Sequence, residues 1–320
     1  MISSHSRKIR IGISSCLLGN AVRYDGGHKL DHYLAETLGS YIDWVPVCPE
    51  VECGLPAPRE AMRVVGETED PRLVTVHTTV DHTVRMTRWA KTKFAKLEHE
   101  ELCGFVFKTR SPSCGMRGVR IHIEAGMPYA TGSGIFANAF AKRFPLMPAE
   151  DDERLRDPSL RLNFIERIFT YRRWRDYIRK DGSLSGLVVF HTEHELLIMA
   201  HSRKHYTMLG RMIAAAKQMR RNELHGKYYE TLMEGMGCPA TVKKNTNVLQ
   251  HMAGYFKKAL SVNDTKELQE AIANYHDGLL PLIVPLTLLR HYARQHQEEY
   301  LCRQYYLHAD PAEMMLRNHV

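Results

Sequence analysis

The sequence predicts an α/β N-terminal domain with a mainly parallel sheet and crossover helices, followed by an all-α C-terminal helical domain. Three observations carry this prediction. Short apolar runs at Ile9–Ser14, Ile42–Val47 and 104–108 alternate with helix-like stretches at 29–40 and 81–97, an order that builds a parallel sheet through crossover connections. Each run is followed by a cysteine, namely Cys16, Cys48 and Cys114. From about residue 160 onward no strand pattern is found, and apolar residues recur at helical spacing. The carboxyl ends of parallel strands share one edge, where ligands bind. Cysteines 32 and 66 positions apart in sequence are therefore expected to converge in space.

Taken in order, Ile9–Ser14 reads as a buried strand that leaves through Ser15 and Cys16. Arg23-Tyr24-Asp25-Gly26-Gly27-His28 is a turn by its Asp-Gly-Gly. The second strand ends at Pro49, which has no amide hydrogen for a central ladder. Glu50 is then held at the sheet edge, where a carboxylate can serve as general acid or base or stand as a solvated loop residue. Cys53, five residues past Cys48, competes with it as a ligand. Residues 61–80 read as an irregular or short β excursion, and Asp81 as the cap of the helix over 81–97. Cys103 precedes the third strand, at the end opposite Cys114, and reads as structural. Ser111 and Ser113 flank Pro112 in the densest polar loop. Gly132-Ser133-Gly134 opens a helix over Ile135–Arg143, a weak anion-site signal. Residues 144–147 are a candidate last strand, and the acidic run 150–153 closes the domain.

The domains are read as 1–155, a helical linker at 156–186, and 187–320. Helices are expected over 161–179, from 187 to 221 with a break near His205 or Gly210, over 245–260, after an Asp264/Glu267 capping box, and over 286–296. His191, His194, His201 and His205 fall on one helical face. No thiolate or carboxylate completes a tight metal motif there, so a polar or RNA-facing role is preferred to a metal. The interleaved tyrosines read mostly as core.

A length of 320 residues suits two domains. No apolar run reaches the roughly 18 residues of a membrane span, and the first residues lack the apolar core of a secretion signal. A cytoplasmic, non-membrane protein is expected. Seven scattered cysteines argue for thiol or metal chemistry rather than a disulfide framework. The net charge of +8 is uneven: residues 1–160 carry 21 Lys/Arg against 20 Asp/Glu, and residues 161–320 carry 23 against 16. A basic second half suits a polyanion, nucleic acid being the commonest, or simply a solvated basic face.

Without a Cys-x-x-Cys pair, single cysteines from three strand ends suit an iron–sulfur cluster better than a zinc knuckle. A four-iron cluster held by three cysteines leaves one iron open as a Lewis acid.

The motifs Ile-Ser-Ser-Cys-Leu-Leu-Gly (13–19), Arg-Tyr-Asp-Gly-Gly (23–27), Cys-Pro-Glu-Val (48–51), Gly-Leu-Pro-Ala-Pro-Arg-Glu (54–60) and Arg-Ser-Pro-Ser-Cys-Gly (110–115) together resemble the TudS-type thiouracil desulfurases. The second half, through 196–202, 245–258, 280–289 and 313–320, resembles the YbgA-like domain. Fusions of the two look like tRNA 4-thiouridine desulfidases. The resemblance implies a [4Fe-4S] cluster on Cys16, Cys48 and Cys114 with one open iron, Glu50 and Ser111 as the acid–base pair, and thiolated tRNA as partner, held in part by the helical domain. The family pattern leads one to expect a small or apolar residue where Cys53 stands. The implied reaction is hydrolytic, non-redox desulfidation of 4-thiouridine in tRNA. The alternatives are the same chemistry on free thiouracil, a non-catalytic RNA-binding protein with structural zinc, and an electron-transfer protein. Oligomeric state is not legible.

Overall fold

The computed structural model describes residues 8–123 and 127–318. Residues 1–7, which carry the reading on a secretion signal, and His319 and Val320 of the last motif lie outside the described residues. Two compact units divide the chain, Met1–Phe164 and Ile165–Val320.

The first unit is α/β. Strands β1 (Ile9–Ser14), β2 (Ile42–Val47), β5 (Phe105–Phe107) and β8 (Ala149–Asp151) form one sheet in the order β2-β1-β5-β8. Every pairing in it is parallel, with Ser14 opposite Val47 and Val106 opposite both Ile13 and Glu150. Ile9, Ile11 and Ile13 on β1 are all buried, as the central strand of a covered parallel sheet requires. Gly12 is needed by its neighbour: a Cβ there would stand 2.2 Å from the Phe105 ring.

Helices α2 (Thr83–His99) and α3 (Ile135–Arg143) cover this sheet. Met86, Ala90, Phe94 and Leu97 recur at helical spacing and are buried. Phe94 meets Phe136 and Phe140 at centroid distances of 5.4 and 6.0 Å, and each such side chain contributes about 1.5–3 kcal/mol by burial.

Four further strands build a second sheet, of which the sequence pattern shows only the β excursion at 61–80. They are β3 (Met62–Gly66), β4 (Pro71–Thr75), β6 (Val119–His122) and β7 (Pro128–Gly132), in the order β4-β3-β6-β7. The last strand of the first sheet is Ala149–Asp151 rather than 144–147. The stretch 29–40 holds no regular α-helix but a π turn (Tyr33–Thr37) and a 3-10 turn (Leu38–Ser40). There the Trp44 indole donates to the Leu34 carbonyl at 3.1 Å and disturbs the helical ladder.

Helix α1 is the single turn Pro49–Glu52. Helix α4 (Pro158–Lys180) starts with proline at its first position, after Asp157 accepts from the Ser159 and Leu160 amides. The stretch 156–186 is mostly this helix, and its Trp174 and Tyr177 belong to the core of the second unit. That unit continues as α5 (Leu184–His201), α6 (Arg203–Ala214), α7 (Arg221–Met236), α8 (Val242–Ala253), α9 (Val262–His276), α10 (Ile283–Gln295), α11 (Glu299–Cys302) and α12 (Pro311–Asn318).

The long helix breaks at Ser202, three residues before His205, where the Ser202 hydroxyl caps α6, and it breaks again after Ala214, ahead of α7. The α9 cap is Ser261, accepting from the Asp264 amide, so Asp264 sits inside the helix instead of capping it. The four histidines do not form a polar or RNA-facing stripe. His191, His194 and His201 are core residues, bonded to the Tyr228 hydroxyl (2.9 Å), the Phe190 carbonyl (2.6 Å) and the Cys238 carbonyl (2.7 Å). His205 bonds the Ser202 hydroxyl at 2.7 Å. Among the described residues no helix is long and apolar enough to cross a membrane.

Candidate metal centre and active-site cavity

The carboxyl ends of β1, β2 and β5 open on one cavity of about 350 Å³, and Cys16, Cys48 and Cys114 all line it together with Glu50 and Ser111. The five residues singled out from the sequence therefore meet at one place. Each cysteine arrives by different local chemistry. Cys16 lies in the 3-10 turn Ser15–Leu18, which Gly19 closes at φ 88°, a left-handed conformation that favours glycine. Cys48 caps α1, and its amide donates to Glu52 at 2.9 Å. Cys114 sits in the 108–115 loop, where its amide donates to the Ser111 hydroxyl at 3.1 Å.

That loop is held from the far side by α3. The amides of Ile135, Phe136 and Ala137 donate to the Pro112 and Ser113 carbonyls at 3.0–3.2 Å. The α3 N-terminus is thus occupied by the protein's own carbonyls, and the anion site suggested by Gly132-Ser133-Gly134 is absent. Gly134 is required by close approach: a Cβ would stand 2.5 Å from the Ser113 carbonyl carbon and 2.9 Å from the Cys114 nitrogen. Gly134→Ala is expected to cost about 1–3 kcal/mol through overpacking against backbone, with a lower Tm in thermal melting and a reduced capacity to bind iron.

Burial sets the state of the thiols. It pushes Cys16 up to about 11, with the neighbouring Cys48 adding to the effect. Burial also raises Cys48, and it raises Cys114 well above the usual thiol range. Charge on Cys48 or Cys16 opposes charge on Cys114, so the three sulfurs share one poorly solvated region. Such a group stays protonated unless a cation compensates it.

Cys53 does not line the cavity; its thiol donates to the Glu50 carbonyl at 3.2 Å. Cys103 is buried elsewhere, beside the Glu101 carbonyl. Among the described residues no three His, Cys, Asp or Glu side chains are grouped to hold a single metal ion; the three thiols ring the cavity instead. Three thiols on one cavity fit a soft, polynuclear iron–sulfur group.

Glu50 is fixed by Arg59, the cation of the Gly-Leu-Pro-Ala-Pro-Arg-Glu motif. The guanidinium donates twice to Glu50 Oε2, from Nε at 2.8 Å and from Nη2, and the two side chains are only 6% and 12% exposed. Arg59 also donates to the Val22 and Pro56 carbonyls at 3.0 and 2.9 Å, and so ties α1 to the turn beside Cys48. A two-point guanidinium–carboxylate pair fixes orientation as well as charge.

Asp152 was read as part of an acidic boundary run. It is buried and accepts from Lys108 Nζ and the Thr109 amide, each at 2.7 Å. Burial pushes its carboxyl up, but these bonds outweigh burial and hold it below the usual range. Arg23 and half-exposed Tyr24 stand at the cavity edge, the guanidinium over the ring at 5.4 Å.

This sheet-edge cavity sets three thiols beside a clamped carboxylate, a donor set that could hold a sulfur-ligated metal group. Residues 11–152 match the sequence model of 2-thiouracil desulfurase, and residues 195–311 match DUF1722, a protein family of unknown function. The uncharacterized protein YbgA of Escherichia coli (strain K12) is 29% identical over 143 residues, which is 44% of this chain and 85% of that protein. The solved [4Fe-4S]-dependent thiouracil desulfidase TudS is 30% identical, covers 48% of this chain and 98% of its own, and superposes with a TM-score of 0.39. Residues 11–152 thus form a 2-thiouracil desulfurase domain, ahead of a YbgA-like DUF1722 domain at 195–311.

Proposed function

We propose that the chain removes sulfur from a thiolated pyrimidine by hydrolysis, with a [4Fe-4S] cluster on Cys16, Cys48 and Cys114, and that its substrate is 4-thiouridine in tRNA. The observation that carries the reading is the meeting of three strand-end thiols with Glu50 and Ser111 on one cavity. The family and the name of its solved member, a [4Fe-4S]-dependent thiouracil desulfidase, support the iron–sulfur chemistry.

When bound, the cluster supplies a Lewis-acidic iron with no protein ligand, suited to a thiocarbonyl sulfur. The chain's own residues manage water and protons. Arg59 engages Oε2 of Glu50 and leaves Oε1, which accepts from the Ser113 hydroxyl, as the oxygen for proton transfer. Glu50 takes a proton from the water that attacks the thiocarbonyl carbon. Ser111, 3.1 Å from Ser113, returns a proton as the carbon–sulfur bond breaks. The balance is C=S plus water to C=O plus hydrogen sulfide, with no redox change.

The excess of 23 Lys/Arg over 16 Asp/Glu in residues 161–320 favours a polyanionic substrate over a free base. The test follows loss of the near-ultraviolet thiocarbonyl absorbance on iron-loaded protein, with 4-thiouridine tRNA and free 4-thiouracil side by side. The expected result is conversion of the tRNA nucleoside to uridine at the higher kcat/KM. Consumption of the free base alone would overturn the tRNA assignment.

A further inference from the structure

Ser113 joins the two residues assigned to acid–base work, yet it has had no role so far. It is 1% exposed, and the first amides of α3 pin its carbonyl at 3.0 and 3.2 Å. Its hydroxyl donates to Glu50 Oε1 at 2.5 Å. The Ser111 hydroxyl lies 3.1 Å from it, and Ser111 in turn accepts the Cys114 amide at 3.1 Å.

A hydroxyl has one proton to donate and two positions to accept. With the Ser113 proton committed to the carboxylate, the contact between the serines has one direction, from Ser111 to Ser113. Arg59 occupies Oε2 with two donors, so the relay ends on the one carboxylate oxygen that the clamp leaves for chemistry.

Resting on the assignment of Glu50 and Ser111 above, we infer that Ser113 is a positioning residue that couples them into a single oriented relay. A proton reaching the Ser111 oxygen is matched by transfer of the Ser111 proton to Ser113 and of the Ser113 proton to Glu50 Oε1. Each serine ends with one proton, the carboxyl is neutral, and the reverse shift restores the start. Glu50 and Ser111 thereby exchange protons without touching.

The test compares Ser111→Ala, Ser113→Ala and the double variant as full, iron-loaded chains, with iron and sulfide per chain and the visible spectrum as controls. Ser113→Ala is expected to keep iron, sulfide and spectrum, to hold KM within about twofold, and to lose about 10²-fold in kcat. The double variant is expected to fall no further than the worse single one, as residues of one unit do. Wild-type kcat in Ser113→Ala, effects that multiply in the double variant, or loss of iron on Ser113→Ala would each overturn the relay. Wild-type turnover in both Glu50→Gln and Ser111→Ala would instead overturn the assignment on which it rests.

Discussion

Cys114→Ala is expected to abolish iron binding and turnover together. Cys114 is the most enclosed of the three cavity thiols, 6% exposed, on a loop whose backbone is fixed by α3. The spare cysteines of the first unit are engaged elsewhere: Cys53 is turned toward the Glu50 carbonyl, and Cys103 is buried beside the Glu101 carbonyl. Without iron the thiol still packs in the core of the first unit and meets the Ser14 and Ser113 hydroxyls, the latter at 3.9 Å, so the unloaded variant should fold and melt modestly below the unloaded parent. Iron and sulfide analysis after anaerobic reconstitution reads the effect directly. Cys53→Ala serves as the control and should retain full iron. Loss of iron in Cys53→Ala with retention in Cys114→Ala would reverse the ligand assignment.

Glu50→Gln is expected to keep the iron and lose turnover. General acid–base groups contribute about 10²–10⁴-fold, and kcat should fall within that range while iron per chain is unchanged. Glutamine nearly preserves the shape and still offers Arg59 an acceptor, so the clamp on α1 persists in part. It removes the charge that can take a proton. Arg59→Ala differs: it leaves Glu50 buried without its cation, a change that costs about 3–5 kcal/mol, so it reports on stability before chemistry. Normal kcat in Glu50→Gln would remove the carboxylate from the mechanism.

The parts of this fold that follow from local pattern are legible in the sequence. Strands β1, β2 and β5 are short apolar runs, α2 and α3 have clear helical spacing, and a cysteine shortly after β1 and β2 and in the loop after β5 already places the thiols on one edge. The second sheet is less so, because β3 pairs with β6 across more than 50 residues, as in Val64 with Ile121, and its strands are short and half polar. Strand β8 is hidden by its own acidity: the buried carboxylates of Glu150 within it and Asp152 just after it are paired with Arg117, Arg154 and Lys108, partners no local pattern reveals.

The same holds at the site. Glu50 and Ser111 were found through motifs, whereas the Arg59 clamp and the Ser113 bridge exist only once 50, 59 and 113 are side by side. The Gly-Leu-Pro-Ala-Pro-Arg-Glu motif, proline-rich and carrying a cation nine residues past the carboxylate, is the available signal for Arg59. On α5, helical spacing suggested a histidine stripe with a function, but that spacing equally describes a core face, and partners such as Tyr228 for His191 decide between them.

The central claim is tested most directly by anaerobic reconstitution followed by a single turnover on a thiolated pyrimidine, with iron, acid-labile sulfide, released hydrosulfide and oxygenated product measured in one sample. The account predicts four irons per chain, and one hydrosulfide released for each thiocarbonyl converted to carbonyl without added reductant or oxidant. A chain that binds zinc in place of iron, or that takes up iron and leaves every thiolated substrate unchanged, would contradict it.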